Sequence, residues 1–310
     1  MTPEPANIYH VESKIKEILQ LRAKTLATIR NFFAARNITE VETPLFSHST
    51  NPAPHLNSFN FDNLYLQTSP EFAMKRLLAA GSSDIYQICK AFRKDEIGRL
   101  HNPEFTILEW YRIGFDHHDL MNEMNDFLKA VIDAPESKRF TYAAIFEKFL
   151  KINPHESNIE QLKAIARDHN LLISNLQDDY DVWLQLLFTH LIEPKLGLEC
   201  PVFIYDFPAS QAMLAKVRRE NFNIASRFEV YFKGIELANG FHELSDAKEQ
   251  RKRFKQDLAE RQKLNLPPIP LDENFLEALP NLPDCSGVAL GIDRLLLLAA
   301  KANSLGNILN

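Results

Sequence analysis

The chain has 310 residues, and 35 lysines and arginines against 41 aspartates and glutamates give a formal charge of −6. With 45% hydrophobic and 25% charged residues, it has the balance of a globular protein large enough to bury a core without disulfide or metal staples. The acidic balance argues against bulk affinity for nucleic acid or anionic membrane, no run approaches the ~18 apolar residues of a membrane span, and Cys89, Cys200 and Cys285 form no C-x-x-C pair, which points to a reducing compartment.

Residues 1–10 are polar, carry two prolines and lack the apolar core of a signal peptide, so a cytoplasmic protein is expected. Ile15, Ile18, Leu19, Leu21, Leu26, Ile29, Phe32 and Phe33 recur at helical spacing and predict an amphipathic helix over 11–35. Residues 38–44 read as a short strand stopped by Pro44. Strands are expected at 64–67, 86–95 and 106–112. Residues 117–200 carry helical patterns at 119–132, 142–151, 157–168 and 181–193, with Gly197 the one glycine, and read as a helical insertion. A strand returns at 202–207. A hairpin is expected over 228–244, a charged helix over 246–263, a proline-rich loop at 266–270, and a strand-to-helix turn over 287–302. Strands on both sides of the helical segment predict one mixed sheet in a single domain, 1–310.

Three segments carry chemistry. In Gly234-Ile235-Glu236-Leu237-Ala238-Asn239-Gly240-Phe241-His242-Glu243-Leu244, Asn239-Gly240 is the preferred two-residue type I′ turn. That turn would pair Glu236 directly with Glu243, on a face shared with Phe228, Val230 and Phe232. Two such carboxylates call for a cation, either a metal ion or an ammonium group; the alternative is an exposed pair on an edge strand. The second segment, Phe92-Arg93-Lys94-Asp95 followed by a loop to Glu104 and by Phe105-Thr106-Ile107-Leu108-Glu109, sets Arg93 beside the small residues Cys89 and Ala91, as suits a phosphate. In the third, Gly287 to Arg294, two glycines permit close backbone approach. Arg294 falls in a first helical turn, where an anionic ligand would offset its unfavourable position. No Walker loop and no G-x-G-x-x-G occurs. His117-His118 reads as a helix start capped by Asp116 rather than as a metal cluster.

Together these segments resemble motifs 1, 2 and 3 of the class II aminoacyl-tRNA synthetases: the helix into Glu40-Val41-Glu42-Thr43-Pro44, Phe92-Arg93 through Glu109, and Gly291-Ile292-Asp293-Arg294. His101-Asn102-Pro103-Glu104-Phe105-Thr106 and Gly240-Phe241-His242-Glu243-Leu244 are similar to the lysyl-tRNA synthetases. Three departures mark a special case: the chain is expected to lack the anticodon-binding barrel that precedes the core in those enzymes, Ala289 stands where they have glycine, and Asp95 replaces their glutamate. Gly98-Arg99-Leu100-His101-Asn102-Pro103-Glu104-Phe105, Glu109-Trp110-Tyr111-Arg112 and Asp284 to Gly291 resemble the elongation factor P lysyltransferase family, truncated paralogues that attach (R)-β-lysine to a lysine of elongation factor P.

The resemblance implies an α+β class II synthetase catalytic core, a mixed, mainly antiparallel sheet flanked by helices, acting as a C2 homodimer without anticodon binding. It implies ATP and Mg²⁺ as cofactors, and activation of (R)-β-lysine or lysine as an aminoacyl-adenylate. Arg93 would hold the α-phosphate, with Arg294 near the γ-phosphate. Lys94, Asp95, Asn102, Phe105, Leu237 and Gly291 would contact the nucleotide, Phe105 by stacking on adenine opposite Arg294. Glu236 would take ATP through Mg²⁺, and Glu243 would serve the metal or the substrate ammonium. Ser69, Pro70, Glu71, Tyr111 and Ala289 would line the amino-acid site. The rivals are a compact enzyme charging tRNA or a small amine, and a regulatory subunit without catalysis, which should have lost Arg93, Arg294 or the acidic pair; all are retained.

Overall fold

The computed structural model describes residues 8–171 and 178–309; residues 1–7, on which part of the N-terminal reading rests, lie outside that description, as do 172–177 and 310. In chain order come α1 (Ile8–Ala34), β1 (Thr39–Glu40), β2 (Phe46–Ser47), β3 (Asn60–Phe61), β4 (Leu64–Leu66), α2 (Glu71–Ala79), β5 (Ile85–Phe92) and β6 (Glu104–Ile113). Then follow α3 (His117–Ile132), β7 (Lys138–Thr141), α4 (Tyr142–Leu150), α5 (Ile159–Asp168), α6 (Tyr180–Leu187), β8 (Val202–Pro208), β9 (Val217–Arg219), β10 (Asn223–Phe232) and β11 (Ile235–His242). α7 (Ala247–Lys263), α8 (Glu273–Ala278), β12 (Cys285–Gly291), α9 (Ile292–Ala299) and α10 (Gly306–Leu309) complete the fold.

The main sheet runs β1-β5-β6-β12-β11-β10-β8-β7, with β9 on β10. Only β1–β5 and β7–β8 pair in parallel, as expected of a mixed, mainly antiparallel sheet. One face is sealed by α1, α3 and α9: Phe33 stacks on Tyr86 at 4.3 Å, and Met121, Met124 and Phe127 of α3 join Leu108, Trp110, Val288 and Leu290 in one core. The expected caps hold here, since Asp116 accepts from the backbone N–H groups of His118 and Asp119 and starts α3. The other face is covered only in part. α2, α7 and α8 pack at one end through Phe72, Phe254 and Phe275, leaving the middle of β5, β6, β12 and β11 open.

The segment 117–200 is more than a helical insertion. α3 belongs to the main core, and β7 adds a parallel edge strand to β8. Only α4 to α6 build a separate layer, around Tyr142, Phe146, Leu184 and Phe188. The last predicted helix stops at Leu187 and gives way to a π-turn, Phe188–Ile192, and a 3₁₀ turn carrying Pro194.

The hairpin expectation is corrected. Asn239-Gly240 is not a turn but the middle of β11, and Glu236 does not face Glu243. The turn is Lys233-Gly234, with φ of 55° and 70°, a two-residue connection of the type I′ kind between Phe232 and Ile235. Gly240 serves close approach instead: the Phe228 ring lies where its Cβ would stand. Nor does Glu236 share the apolar face of Phe228 and Val230. It pairs with Tyr231 while Ala238 pairs with Val230, so Leu237 is an extra residue, a β-bulge. The bulge turns Leu237 into the core, 2% exposed, and sets Glu236 on the face of Glu229 and Asn239.

Candidate active site

The open face is built in rows. The register places Gln87, Glu109, Ala289 and Asn239 side by side across β5, β6, β12 and β11. The next row holds Ile85, Tyr111, Gly287 and Phe241. A Cβ on Gly287 would stand 2.3 Å from Tyr111 Cε1 and 2.6 Å from Glu243 Oε1, so only glycine lets these two side chains close together.

α2 completes this pocket from above. Pro70 stands at its N-cap position, Ser69 Oγ accepts from the Glu71 N–H at 3.4 Å, and Glu71 and Lys75, four residues apart, project from one helical face. Lys75 Nζ lies 2.6 Å from Glu71 Oε1 and 2.5 Å from Glu243 Oε2. Tyr111 donates its hydroxyl to Glu109 Oε1 at 2.6 Å. Lys75, Glu109 and Glu243 are all at most 2% exposed. Burial pushes the Glu109 carboxyl up to about 8, reinforced by Glu71; burial likewise pushes Glu243 up to about 8, with Lys75 opposing. Burial alone would lower Lys75, but Glu243 and Glu71 outweigh it and hold the ammonium above its ordinary value. The pocket therefore sets three carboxyl groups around one resident ammonium.

The arginines stand at the other end. Arg93 follows β5, where its N–H bonds the Pro103 carbonyl at 2.9 Å and closes the loop expected between the two strands. Its guanidinium lies 5.0 Å from the Phe105 ring centroid, with Nη1 3.3 Å from Glu96. The Arg93 guanidinium is thus a cation over the Phe105 ring. Arg294, in the first turn of α9, donates to the carbonyls of Glu236 at 2.8 Å and Leu100 at 3.2 Å and lies 2.7 Å from His101 Nε2. Burial, then Arg294, lowers His101 below its ordinary value. Behind Arg294, buried Asp293 accepts from Arg22 at 2.8 Å and from the Thr106 N–H at 2.7 Å, tying α1 and β6 to the start of α9. Gly291 has nothing closer than Arg294 Cδ at 3.7 Å, so the protein's own packing does not demand glycine there. Asp95 accepts from Asn57 at 2.6 Å, and Asn102 donates to the Glu104 carbonyl at 2.5 Å. Lys94 is exposed.

Glu236 and Glu243 therefore occupy different ends of the face, roughly 20 Å apart along the strand, and cannot share one ion. The carboxylate beside Glu236 is Glu229, which Arg227 and Tyr231 hold by short contacts. Burial raises Glu229, with Glu236 adding to the rise; burial, then Glu236 and Glu229, pushes Glu193 up to about 7. This excess of carboxylate oxygen beside Arg294 fits a hard divalent cation. Among the described residues, no group of three or more His, Cys, Asp or Glu could hold an ion by itself, so a cation here would need further ligands from a bound phosphate or water.

Sequence reasoning missed Lys75, Glu109, Glu229 and Asn239. Two had signals available: Lys75 lies one helical turn after Glu71, and Glu109 shares the strand face of Tyr111. Glu229 had none, because its alignment with Glu236 depends on the bulge.

Comparisons with known proteins fit this geometry. The family model for tRNA synthetases class II (D, K and N) matches residues 6–310. An elongation factor P–(R)-β-lysine ligase of Photobacterium profundum is 50% identical over 308 residues, covering 96% of this chain and 95% of the relative. Proteins of the same name from Vibrio parahaemolyticus (52% over 295 residues, 91% of each chain) and Salmonella dublin (50% over 300 residues, 93% of this chain and 92% of the relative) match as well.

Proposed function

Since the chain belongs to the elongation factor P–(R)-β-lysine ligases within the class II tRNA synthetases, we propose that it activates (R)-β-lysine, or lysine, with ATP and transfers it to a lysine side chain of elongation factor P. One observation carries this reading: a buried pocket of three carboxyl groups with one resident ammonium, with two arginines at the other end of the same sheet. Such a pocket lacks positive charge, and a diamino acid supplies it.

In the first step the substrate carboxylate attacks the α-phosphorus in line, the P–O bond to the leaving pyrophosphate breaks, and an aminoacyl-adenylate forms. No side-chain nucleophile is required; positioning and charge stabilisation suffice. We assign Arg93 to the α-phosphate and Arg294 to the far end of the triphosphate. We assign Phe105, Asn102, Asp95, Lys94 and the backbone at Leu237 and Gly291 to the nucleotide. The Leu237 side chain is in the core, which leaves its main chain for that contact. Glu229 and Glu236 would hold Mg²⁺, whose charge offsets that of the phosphates. Glu71, Glu109, Glu243 and Tyr111 would receive the substrate's ammonium groups, with Ser69, Pro70 and Ala289 shaping the pocket. In the second step the acceptor amine attacks the acyl carbon, AMP leaves, and the amine loses its proton.

Ile15 and Leu19 on α1 are 43% and 61% exposed, which supports a homodimer through that helix. Among the described residues no helix is long and apolar enough to cross a membrane. The three free thiols support a cytoplasmic setting.

The test is the intact mass of purified elongation factor P after incubation with this protein, ATP, Mg²⁺ and (R)-β-lysine, beside a parallel reaction with tRNA. One added lysyl unit on the protein and none on tRNA is expected; charged tRNA with unmodified protein would overturn the assignment.

A further inference from the structure

The amino-acid pocket contains a cation that neither chemical step uses. Lys75 is 1% exposed, and its one ammonium bridges Glu71 on its own helix and Glu243 beyond the end of β11, at 2.6 and 2.5 Å. The titratable and charged groups facing this cluster are Glu71 on α2, Glu109 and Tyr111 on β6, Glu243, Cys285 on β12, and, farther out, Lys216, which is paired with Asp284. Tyr111 and Cys285 are neutral at physiological pH, since burial raises both. Counted with every carboxyl ionised, as when ammonium groups are bound, the pocket holds three carboxylates and one ammonium, −3 + 1 = −2, and −3 if Lys75 were neutral; in the empty pocket at pH 7, Glu109 and Glu243, raised to about 8, keep most of their protons. A 3,6-diaminohexanoic acid brings two ammonium groups. A buried ammonium is retained only where it is paired, and truncating one partner of such a pair leaves uncompensated charge rather than a plain cavity.

We propose that Lys75 is a positioning residue for substrate selection: its ammonium holds the Glu71 and Glu243 carboxylates in place in the empty pocket and sets the pocket charge to the value that a diammonium amino acid cancels. This inference rests on the function proposed above. It assigns the residue four positions after Glu71 a task distinct from packing. Without Lys75, Glu109 and Glu243 would hold their protons more tightly still, and the substrate's ammonium groups would have to displace them on binding.

The experiment uses the full-length enzyme with Lys75→Met, which keeps the side chain's length and removes its charge. Exchange of pyrophosphate into ATP is measured with (R)-β-lysine from pH 6.5 to 9. The expected result is a rise of about 10-fold or more in the KM for (R)-β-lysine at pH 7, with the KM for ATP unchanged. The variant's KM should also fall more steeply with rising pH than that of the wild type, as hydroxide removes the extra protons. An unchanged KM with a parallel pH profile, or an equal rise in both KM values, overturns the proposal, because a packing role would act in that way. Should the Met variant fail to fold, Lys75→Arg decides: a profile of wild-type shape supports the charge role, and a displaced one refutes it. A wild-type enzyme with no (R)-β-lysine-dependent exchange would sink the functional reading instead.

Discussion

Glu236 and Glu243 lie seven residues apart in β11 and its continuation, yet both look onto the open face of the sheet, because the strand bulges at Leu237. An odd spacing in a regular strand would send them to opposite faces. The bulge corrects the parity, and the two carboxylates stand at the ends proposed for phosphate, at Glu236, and for the amino acid, at Glu243.

That division predicts separable defects. Glu229→Gln or Glu236→Gln should raise the Mg²⁺ concentration needed for half-maximal pyrophosphate exchange by about 10-fold or more and leave the KM for (R)-β-lysine within about threefold. Glu243→Gln should do the reverse. Steady-state kinetics against Mg²⁺ and amino acid check both, and a common defect in all three variants would contradict two separate ends.

The pocket carboxylates predict a pH dependence. Glu109 and Glu243 are raised from 4.5 to about 8 in the folded protein. A raised carboxyl contributes stability that is complete below its unfolded value and is lost as pH climbs through the folded value. The melting temperature of the free enzyme should therefore decline between about pH 5 and 8. The upward shift produced by (R)-β-lysine should be larger at pH 8.5 than at 6.5. Thermal scans in a pH series test this, and Glu109→Gln with Glu243→Gln should flatten the slope.

Two glycines on β12 should respond oppositely to one added methyl. Gly287→Ala forces a Cβ into the Tyr111 ring and Glu243, so a loss of about 1–3 kcal/mol and of amino-acid binding is expected by denaturant titration and exchange kinetics. Gly291→Ala meets only ordinary contacts within the protein. Its stability should stay within about 0.5 kcal/mol while the KM for ATP rises.

Between them, Ala289 sits directly across from Glu109 and Asn239. Ala289→Gly removes one methyl from the pocket, an effect worth about 0.8 kcal/mol per group and larger where fit is tight. The ratio of kcat/KM for α-lysine over (R)-β-lysine should rise several-fold in competition assays.

Asp293 holds Arg22 and the Thr106 N–H while 1% exposed. Asp293→Ala should cost about 3–5 kcal/mol in urea unfolding by leaving these partners unmet, and should lower kcat by loosening Arg294.

Much of this protein was legible in one dimension. Helical spacing located α1 and α3, a charged run located α7, Asp116 marked the start of α3, and short signatures placed Arg93 and Arg294, because each depends on a few neighbouring residues. The Asn239-Gly240 step shows where such reading stops. Its local preference for a turn is real but worth only a few kcal/mol, and pairing with β10 and β12 on both sides, with Phe228 packed on Gly240, outweighs it. The tertiary structure alone decided which carboxylates stand together. Glu71, Glu109 and Glu243 come from a helix and two strands far apart in the chain, and only sheet register and burial join them around Lys75. Composition and motif determined the kind of chemistry; long-range packing determined which charge meets which.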